Sequence, residues 1–369
     1  RKVNLKTMTL TAIIATSAII LNAENKTFTA YFIGNSLTRG LSLDKMENFF
    51  SQRRMNLEYG SQLAAGTMLN EHLVKTALYT AKPLNINNIQ NRKFGSYDEA
   101  LQKSKFDALV IQPYQWWVET QPHFRFKDKH LLGDRQAIGE FIKYALGNNP
   151  SKNIATENFF IYETWPRLDG IKRRGFKSDG SKIENFDDFY EAHYTYDVLW
   201  KQPVHTVPSK EFTKLLLEGL NKDFHDLKKP IRVIPVGEIL CKLDKMIRNA
   251  EMPGIEKYFQ RNKEYYLTAR AKIKDFFFQS EFNKEYGVMN LYTDMIHLNT
   301  QPHNGKEDGT LGAYIAAITV FSVITGESPI GIEPTEYKRI DKKEDAELIK
   351  KIQALVWDTI KQNSMTGIK

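Results

Sequence analysis

Cysteine is almost absent from this sequence of 369 residues, in which Cys241 is the only one. A lone cysteine cannot form a disulfide within the chain, and it cannot contribute to a metal site built from several thiolates. The eight histidines include no His-x-x-x-His pair, and the carboxylates show no spacing typical of a zinc hydrolase. We therefore expect the protein to need no metal and no cofactor.

A strong excess of charge of one sign is absent too. The 52 lysines and arginines and the 44 aspartates and glutamates give a net charge of +8, and the basic residues are scattered along the chain. The densest basic stretch, RRGFKSDGSK, is typical of a solvated loop. Nucleic-acid binding would call for a basic helix or for basic residues interleaved with aromatics, and the sequence has neither. We therefore expect no nucleic-acid partner.

Long apolar runs are limited to two places. The first, TMTLTAIIATSAIILNA, follows three basic residues and ends in small side chains near Ala23, which is typical of an export signal. We expect a signal peptide at 1–23, whose removal lowers the net charge of +8 by three to +5, and a mature chain at 24–369 in the periplasm or outside the cell. A buried N-terminal helix is the alternative. The run is short and rich in threonine, so no stable membrane anchor is expected.

The second apolar run, GTLGAYIAAITVFSVITG at 309–326, is long enough to suggest a membrane span. However, it lies between the polar segments HNGKEDG and GESP. This setting favours a helix that packs inside a soluble domain.

Five shorter apolar runs have the character of strands, and the last three are continuous rather than alternating. Continuous runs are typical of strands buried on both faces of a parallel sheet. The runs lie at 28–34, 55–60, 106–113, 158–165 and 231–237, and helical patterns lie at 42–54, 133–147 and 209–224. Their alternation predicts an α/β fold, a three-layer α/β/α sandwich with a mainly parallel five-stranded sheet of flavodoxin-like type. The region 166–229 is longer than a crossover needs, so we interpret it as an insertion, and 250–290 has a long helical pattern.

Side chains able to do chemistry follow the predicted strands at the points where the strands end. Ser36 comes after the first strand, and Asp294 and His297 stand far downstream in the stretch YTDMIHLN. Because the carboxyl ends of parallel strands gather at one edge of an open sheet, we expect these groups to meet there. A serine becomes a useful nucleophile when a histidine takes its proton, and a carboxylate orients that histidine. The sequence therefore predicts Ser36, His297 and Asp294 as the catalytic residues.

A serine nucleophile also needs donors for the negative oxygen that develops during attack. The backbone N–H groups of Ser36 and Gly66 and the side-chain amide of Gln112, which follows the third strand, are the candidates for this oxyanion hole.

Aromatic side chains follow two of the strand ends as well. Trp116 and Trp117 come after the third strand, and Trp165 comes after the fourth. Aromatic faces can stack on the apolar C–H surfaces of sugar rings, so these three are candidate substrate-binding residues together with Asn35 beside the nucleophile. The alternative is that they fill core beneath the region 166–229.

The stretches GNSL at 34–37 and DMIH at 294–297, with Gly66 between them, resemble the blocks of the SGNH hydrolases, also called GDSL esterases and lipases. In that family the nucleophilic serine lies in a Gly-Asp-Ser-Leu block after the first strand, and an Asp-x-x-His block near the C-terminus supplies the base. The resemblance covers most of residues 28–326 and implies an SGNH fold, an exported bacterial ester hydrolase, and an oxyanion hole completed by a glycine N–H and an asparagine side chain.

Two positions depart from that family's pattern. Asn35 replaces the usual aspartate before the nucleophile. Gln112 falls where the third block has Gly-x-Asn, and its amide can donate although its stem is one methylene longer.

From these residues we expect a serine esterase that hydrolyses an O-acyl or O-acetyl group on a carbohydrate through an acyl-enzyme, with a small-molecule or glycan ester as its substrate. A lipase or phospholipid-type esterase is one alternative. A catalytically silent glycan-binding module on the same fold is another. An α/β-hydrolase elbow is excluded, because Gly-x-Ser-x-Gly requires a glycine where Thr38 stands.

Overall fold

The computed structural model describes fourteen parts of the chain. They are residues 25–73, 89–90, 93–115, 117–120, 125–126, 129–130, 132–147, 156–165, 190, 209–252, 254–255, 297–298, 310–337 and 340–369. The predicted signal peptide at 1–23 and most of the helical pattern at 250–290 lie outside these residues.

Five parallel strands form the centre of the molecule. The described part of the chain has eight strands in all, namely β1 (Lys26–Gly34), β2 (Met55–Leu63), β3 (Ile89–Gln90), β4 (Ala108–Ile111), β5 (Arg125–Phe126), β6 (Lys129–His130), β7 (Phe159–Tyr162) and β8 (Arg232–Ile234). The main sheet has the order β3-β2-β1-β4-β7-β8, in which every pair is parallel except β2 with the short edge strand β3. The pair β5-β6 forms a separate antiparallel ribbon. The predicted five-stranded parallel sheet is therefore confirmed.

Nine helices connect or flank these strands in the described part of the chain. They are α1 (Ser36–Arg39), α2 (Leu43–Gln52), α3 (Leu69–Leu73), α4 (Tyr97–Lys103), α5 (Asp134–Leu146), α6 (Ser209–Asp223), α7 (Val236–Arg248), α8 (Leu311–Thr325) and α9 (Ala346–Gln362), and a short 3-10 turn follows at Ser364–Thr366.

The helices lie on both faces of the sheet because the strands bury both faces. Phe28 and Phe32 of β1 point into a hydrophobic cluster with α2, α7, α8 and α9. Tyr31 and Ile33, at the alternate positions, point into a second cluster with α4, α5 and α6. Side chains of successive strand residues point to opposite faces, so this split confirms the predicted three-layer α/β/α sandwich.

The apolar segment predicted as a packing helix is α8. Its residues from Leu311 to Ile324 are all buried, which explains why its sequence is apolar on every side. In the part of the chain that the structure describes, we find no helix with the length and apolar character that a membrane crossing requires.

The predicted insertion at 166–229 extends too far. Helix α6 lies within that range, and its Phe212, Leu216 and Leu220 are buried in the same cluster as β4 and β7. It is thus the crossover helix between β7 and β8, as a parallel pair requires. The fifth strand is also shorter than predicted, because Val236 already begins α7.

Candidate active site

The predicted nucleophile stands at the carboxyl edge of the sheet. Strand β1 ends at Gly34, and Ser36 is the first residue of α1. Asn35 caps this helix, since its Oδ1 accepts a hydrogen bond from Leu37 N at 3.0 Å. The Asn35 side chain is 6% exposed, so it belongs to the helix cap rather than to an open binding face, and its predicted contact with substrate is not supported.

The structure brings the predicted base to the predicted nucleophile. His297 Nε2 lies 2.8 Å from Ser36 Oγ, although the two residues are 261 positions apart in the chain. This distance is within the reach that general-base catalysis needs. When Nε2 of the neutral ring accepts the serine proton, the ring carries its own proton on Nδ1. Asp294, the predicted partner of Nδ1, lies outside the described residues and stays a prediction.

The segment after His297 is anchored to helix α8. The Leu298 side chain is 2% exposed within the larger hydrophobic cluster. The Leu298 carbonyl accepts a hydrogen bond from the hydroxyl of Thr310. Thr310 is also the N-cap of α8, where its Oγ1 accepts from Ala313 N at 3.0 Å. Burial and capping together hold this segment on the packed core.

Two backbone N–H groups stand at the predicted positions of the oxyanion hole. Ser36 N belongs to the first turn of α1, and Gly66 follows β2, the strand beside β1. Gly66 has a φ of +65° and is exposed, and no atom lies within 4 Å of where its Cβ would be. Among the described residues, neither of these two N–H groups donates to a protein acceptor. Both remain candidates for the role.

The structure corrects the prediction that Gln112 donates to the oxyanion. Its Oε1 accepts hydrogen bonds from Asn35 N at 3.2 Å, from Thr38 N at 3.2 Å and from Thr38 Oγ1 at 2.7 Å. Its Nε2 faces the carbonyl of Pro113 at 3.4 Å. The acceptor end of this side chain therefore faces the turn that carries Ser36, and its amide nitrogen faces the backbone at Pro113.

The three tryptophans occupy different settings. Trp165 is 2% exposed and packs in the larger hydrophobic cluster, so it is a core residue rather than a stacking surface, as the alternative interpretation had it. Trp117 is partly exposed, and its carbonyl accepts a hydrogen bond from Asp134 N at 2.8 Å. Trp116 lies outside the described residues.

A buried polar chain that sequence reasoning missed joins β2, α3 and α4 beside the end of β1. Tyr97 N donates to Gln62 Oε1 at 3.1 Å, which turns the Gln62 amide nitrogen toward His72 Nδ1 at 3.0 Å. His72 Nδ1 is therefore the acceptor, and the ring proton sits on Nε2, which is buried and has no hydrogen-bond partner among the described residues. The isolated sequence carries no signal for this chain, since His72 follows no strand directly.

Burial lowers the pKa of His72 to about 4 from its ordinary 6.5. The unfolded chain thus binds a proton between pH 6.5 and pH 4 that the folded chain excludes, and the free energy of unfolding falls as the pH drops through this window. We expect this one group to cost about 2 kcal/mol of stability between pH 7 and pH 5.

Urea denaturation at both pH values checks this expectation. The His72→Gln variant should lose most of that pH-dependent difference, whereas His225→Gln, at an exposed ring, should keep it. An unchanged difference between pH 7 and pH 5 in His72→Gln would contradict the assignment.

A second buried carboxyl group stands at the end of β7. Tyr190 Oη donates to Glu163 at 2.7 Å, and Glu238 N, in the first turn of α7, donates to its other oxygen at 3.1 Å. Burial raises the pKa of Glu163 to about 7, and the two donors oppose that shift. Among the described residues, no hydrogen bond joins Glu163 to the nucleophile or its base. We assign it to holding β7, α7 and Tyr190 together.

Over the described residues, no three histidine, cysteine, aspartate or glutamate side chains are grouped so that they could hold a metal ion.

Comparison with known proteins gives little guidance about this site. No protein-family model matches the chain, and no curated protein matches it. One solved structure that it resembles is the 1.50 Å crystal structure of a DUF4886 family protein from Bacteroides uniformis. The match has a TM-score of 0.45 at 14% identity, and it covers 93% of this chain and 100% of the other. Similarity at this level carries no argument about function.

Proposed function

We propose that the chain is an ester hydrolase of the SGNH type in which Ser36 is the nucleophile and His297 is the general base. The observation that carries the proposal is the 2.8 Å distance between His297 Nε2 and Ser36 Oγ at the carboxyl edge of the sheet. The N–H of Ser36, which has no acceptor among the described residues, and the exposed turn at Gly66 support it further, because a developing oxyanion needs fixed donors beside the nucleophile.

The proposed reaction passes through an acyl-enzyme. Ser36 Oγ forms a bond to the carbonyl carbon of the ester while His297 Nε2 takes the hydroxyl proton. The carbonyl oxygen becomes an anion that accepts hydrogen bonds from the N–H groups of Ser36 and Gly66. When this intermediate collapses, the bond to the alcohol breaks and His297 returns the proton to the leaving alcohol. Water then gives a proton to His297 Nε2 and attacks the acyl carbon, the bond between that carbon and Ser36 Oγ breaks, and His297 returns the proton to Ser36 as the carboxylic acid leaves. Asp294 orients the imidazole in this proposal.

Within this reaction we propose a carbohydrate O-acyl group, such as an acetyl ester, as the substrate of an exported enzyme. Trp117, partly exposed after β4, is the described aromatic side chain that supports contact with a sugar ring. A long-chain lipid ester and a silent glycan-binding role remain the rival functions.

A panel of esters tests the proposal with the full chain. Acetate release from acetylated polysaccharides is measured beside release from short-chain and long-chain chromogenic esters, with Ser36→Ala as the matched control. Release of acetate that the control lacks supports the carbohydrate esterase. A strong preference for long chains would favour the lipase. Retention of the glycan without turnover of any ester would favour the silent module.

A further inference from the structure

Gln112 reaches across the end of β1 from the neighbouring strand. Its backbone N donates to Ile33 O at 2.9 Å, which extends the parallel pairing of β4 with β1 by one residue. A Cβ placed on Gly34 would lie 2.9 Å from both Cβ and Oε1 of Gln112. The glutamine side chain therefore crosses directly over Gly34, the first residue of the nucleophile turn, which comprises residues 34–39.

The donors around Gln112 fix the orientation of its amide. Two of the three groups that face one end of this amide are the backbone N–H groups of Asn35 and Thr38, which can only donate. The atom that faces them must be the carbonyl oxygen, and the hydroxyl of Thr38 donates to the same atom. Gln112 is 2% exposed and Thr38 is fully buried, so these hydrogen bonds are shielded from water.

This acceptor completes the hydrogen bonding of the nucleophile turn. The amide of Leu37 donates to Asn35 Oδ1, that of Thr38 to Gln112 Oε1, and that of Arg39 to Asn35 O at 3.1 Å. Among these first-turn amides, and within the described part of the chain, only Ser36 N–H has no acceptor. The arrangement leaves unoccupied the one amide that belongs to the nucleophile itself.

We propose that Gln112 is a positioning residue that acts as an acceptor: it holds the nucleophile turn so that Ser36 Oγ stays in reach of His297 and Ser36 N–H stays available to the oxyanion. This inference rests on the proposed function and extends it, because it gives Gln112 a role opposite in polarity to the oxyanion donor that its sequence position suggests. A displacement of the turn by about 1 Å is expected to lower the rate on the order of 10²-fold.

Amide hydrogen exchange of the full chain, resolved by residue with NMR, tests the acceptor role without any substrate. In Gln112→Met, which keeps the volume and removes the acceptor, we expect the protection of the Asn35 and Thr38 amides to fall roughly tenfold or more. In Gln112→Glu, which keeps an acceptor and removes the amide donor, their protection should be retained. Thr38→Val removes only the hydroxyl donor, so it should lower the protection of these amides less than Gln112→Met does. Thr319→Val, at a buried hydroxyl in α8, is the matched control and should leave their protection unchanged.

Kinetics then test whether the acceptor positions the nucleophile. We expect kcat of Gln112→Met to fall about 10²-fold while KM changes less than about threefold, because substrate contacts are untouched. Thr38→Val should lower kcat in the wild-type background and have little further effect in Gln112→Met, since both changes break the same contact. Independent, additive effects would overturn the shared role.

The two readouts separate failure of this inference from failure of the proposed function. Unchanged protection of the Asn35 and Thr38 amides in Gln112→Met would overturn the acceptor role, whether or not the protein hydrolyses esters. If protection is lost in Gln112→Met but the wild type hydrolyses no ester, the proposed function and the catalytic part of this inference are both overturned. Only the role of Gln112 as an acceptor in the turn would then remain.

Discussion

The Ser36→Ala variant is expected to lose ester hydrolysis by a factor on the order of 10⁴ to 10⁶ in kcat/KM, because the proposed acyl-enzyme forms on the Ser36 hydroxyl. Ser36 Oγ is the atom held 2.8 Å from His297 Nε2, and its loss removes the bond-forming atom without removing bulk from the core. The residue is only partly buried, so the variant should fold as the wild type does. Initial rates on a short-chain chromogenic ester measure the effect.

His297 is expected to act only through this serine. The His297→Gln variant should lower kcat/KM about 10³-fold or more, and Ser36→Ala with His297→Gln should be no slower than the slower single variant. His225→Gln, at an exposed histidine in another part of the molecule, is the matched control and should keep wild-type rates. Losses that multiply in the double variant would show that the two groups work separately, and the proposed pairing would then be wrong.

The fold was predictable because its signal is repeated along the sequence. Continuous apolar runs such as ALVI in β4 and FFIY in β7 are buried on both faces, and a parallel sheet is the arrangement that buries them so. The pairing of Ser36 with His297 followed from the same rule, since the end of β1 must lie at the carboxyl edge. No local pattern places His297 there, and only its order in the chain and a family resemblance pointed to it.

The polarity of Gln112 could not be predicted, because it depends on what faces the side chain. A glutamine carries both a donor and an acceptor, and the sequence does not say which end meets which partner. Three donors from the turn after β1 fix the orientation of the Gln112 amide, and they belong to residues 74 to 77 positions away in the chain. The burial of His72 could not be predicted either, because burial of a single polar residue is set by tertiary packing.

The Gly34→Ala variant is expected to damage both stability and activity, because the position has no room for a methyl group. A Cβ there would overlap Thr38 Oγ1 and would lie 2.9 Å from Gln112 Oε1, and both atoms belong to buried side chains that hold the nucleophile turn. We expect a loss of about 2–3 kcal/mol in the free energy of unfolding. We also expect kcat to fall on the order of 10²- to 10³-fold, because relief of the overlap must move the turn that carries Ser36.

Gly139→Ala is the matched control for this change. Gly139 lies inside α5, where an added Cβ would meet only the ring of Phe224 at 3.6 Å, an ordinary contact. Alanine also suits a helix interior better than glycine, so this variant should be at least as stable as the wild type. Urea denaturation and initial rates on both variants give the comparison.

A second substitution shows whether the overlap at Gly34 is the cause. Thr38→Ala removes the hydroxyl that the new methyl group would strike, so Gly34→Ala with Thr38→Ala should lose less stability than the sum of the two single losses. An additive loss would place the damage elsewhere in the strand. A Gly34→Ala variant with wild-type stability and rate would show that the turn can shift to accommodate the methyl group without loss. The close packing of Gly34, Thr38 and Gln112 would then not be what positions the nucleophile.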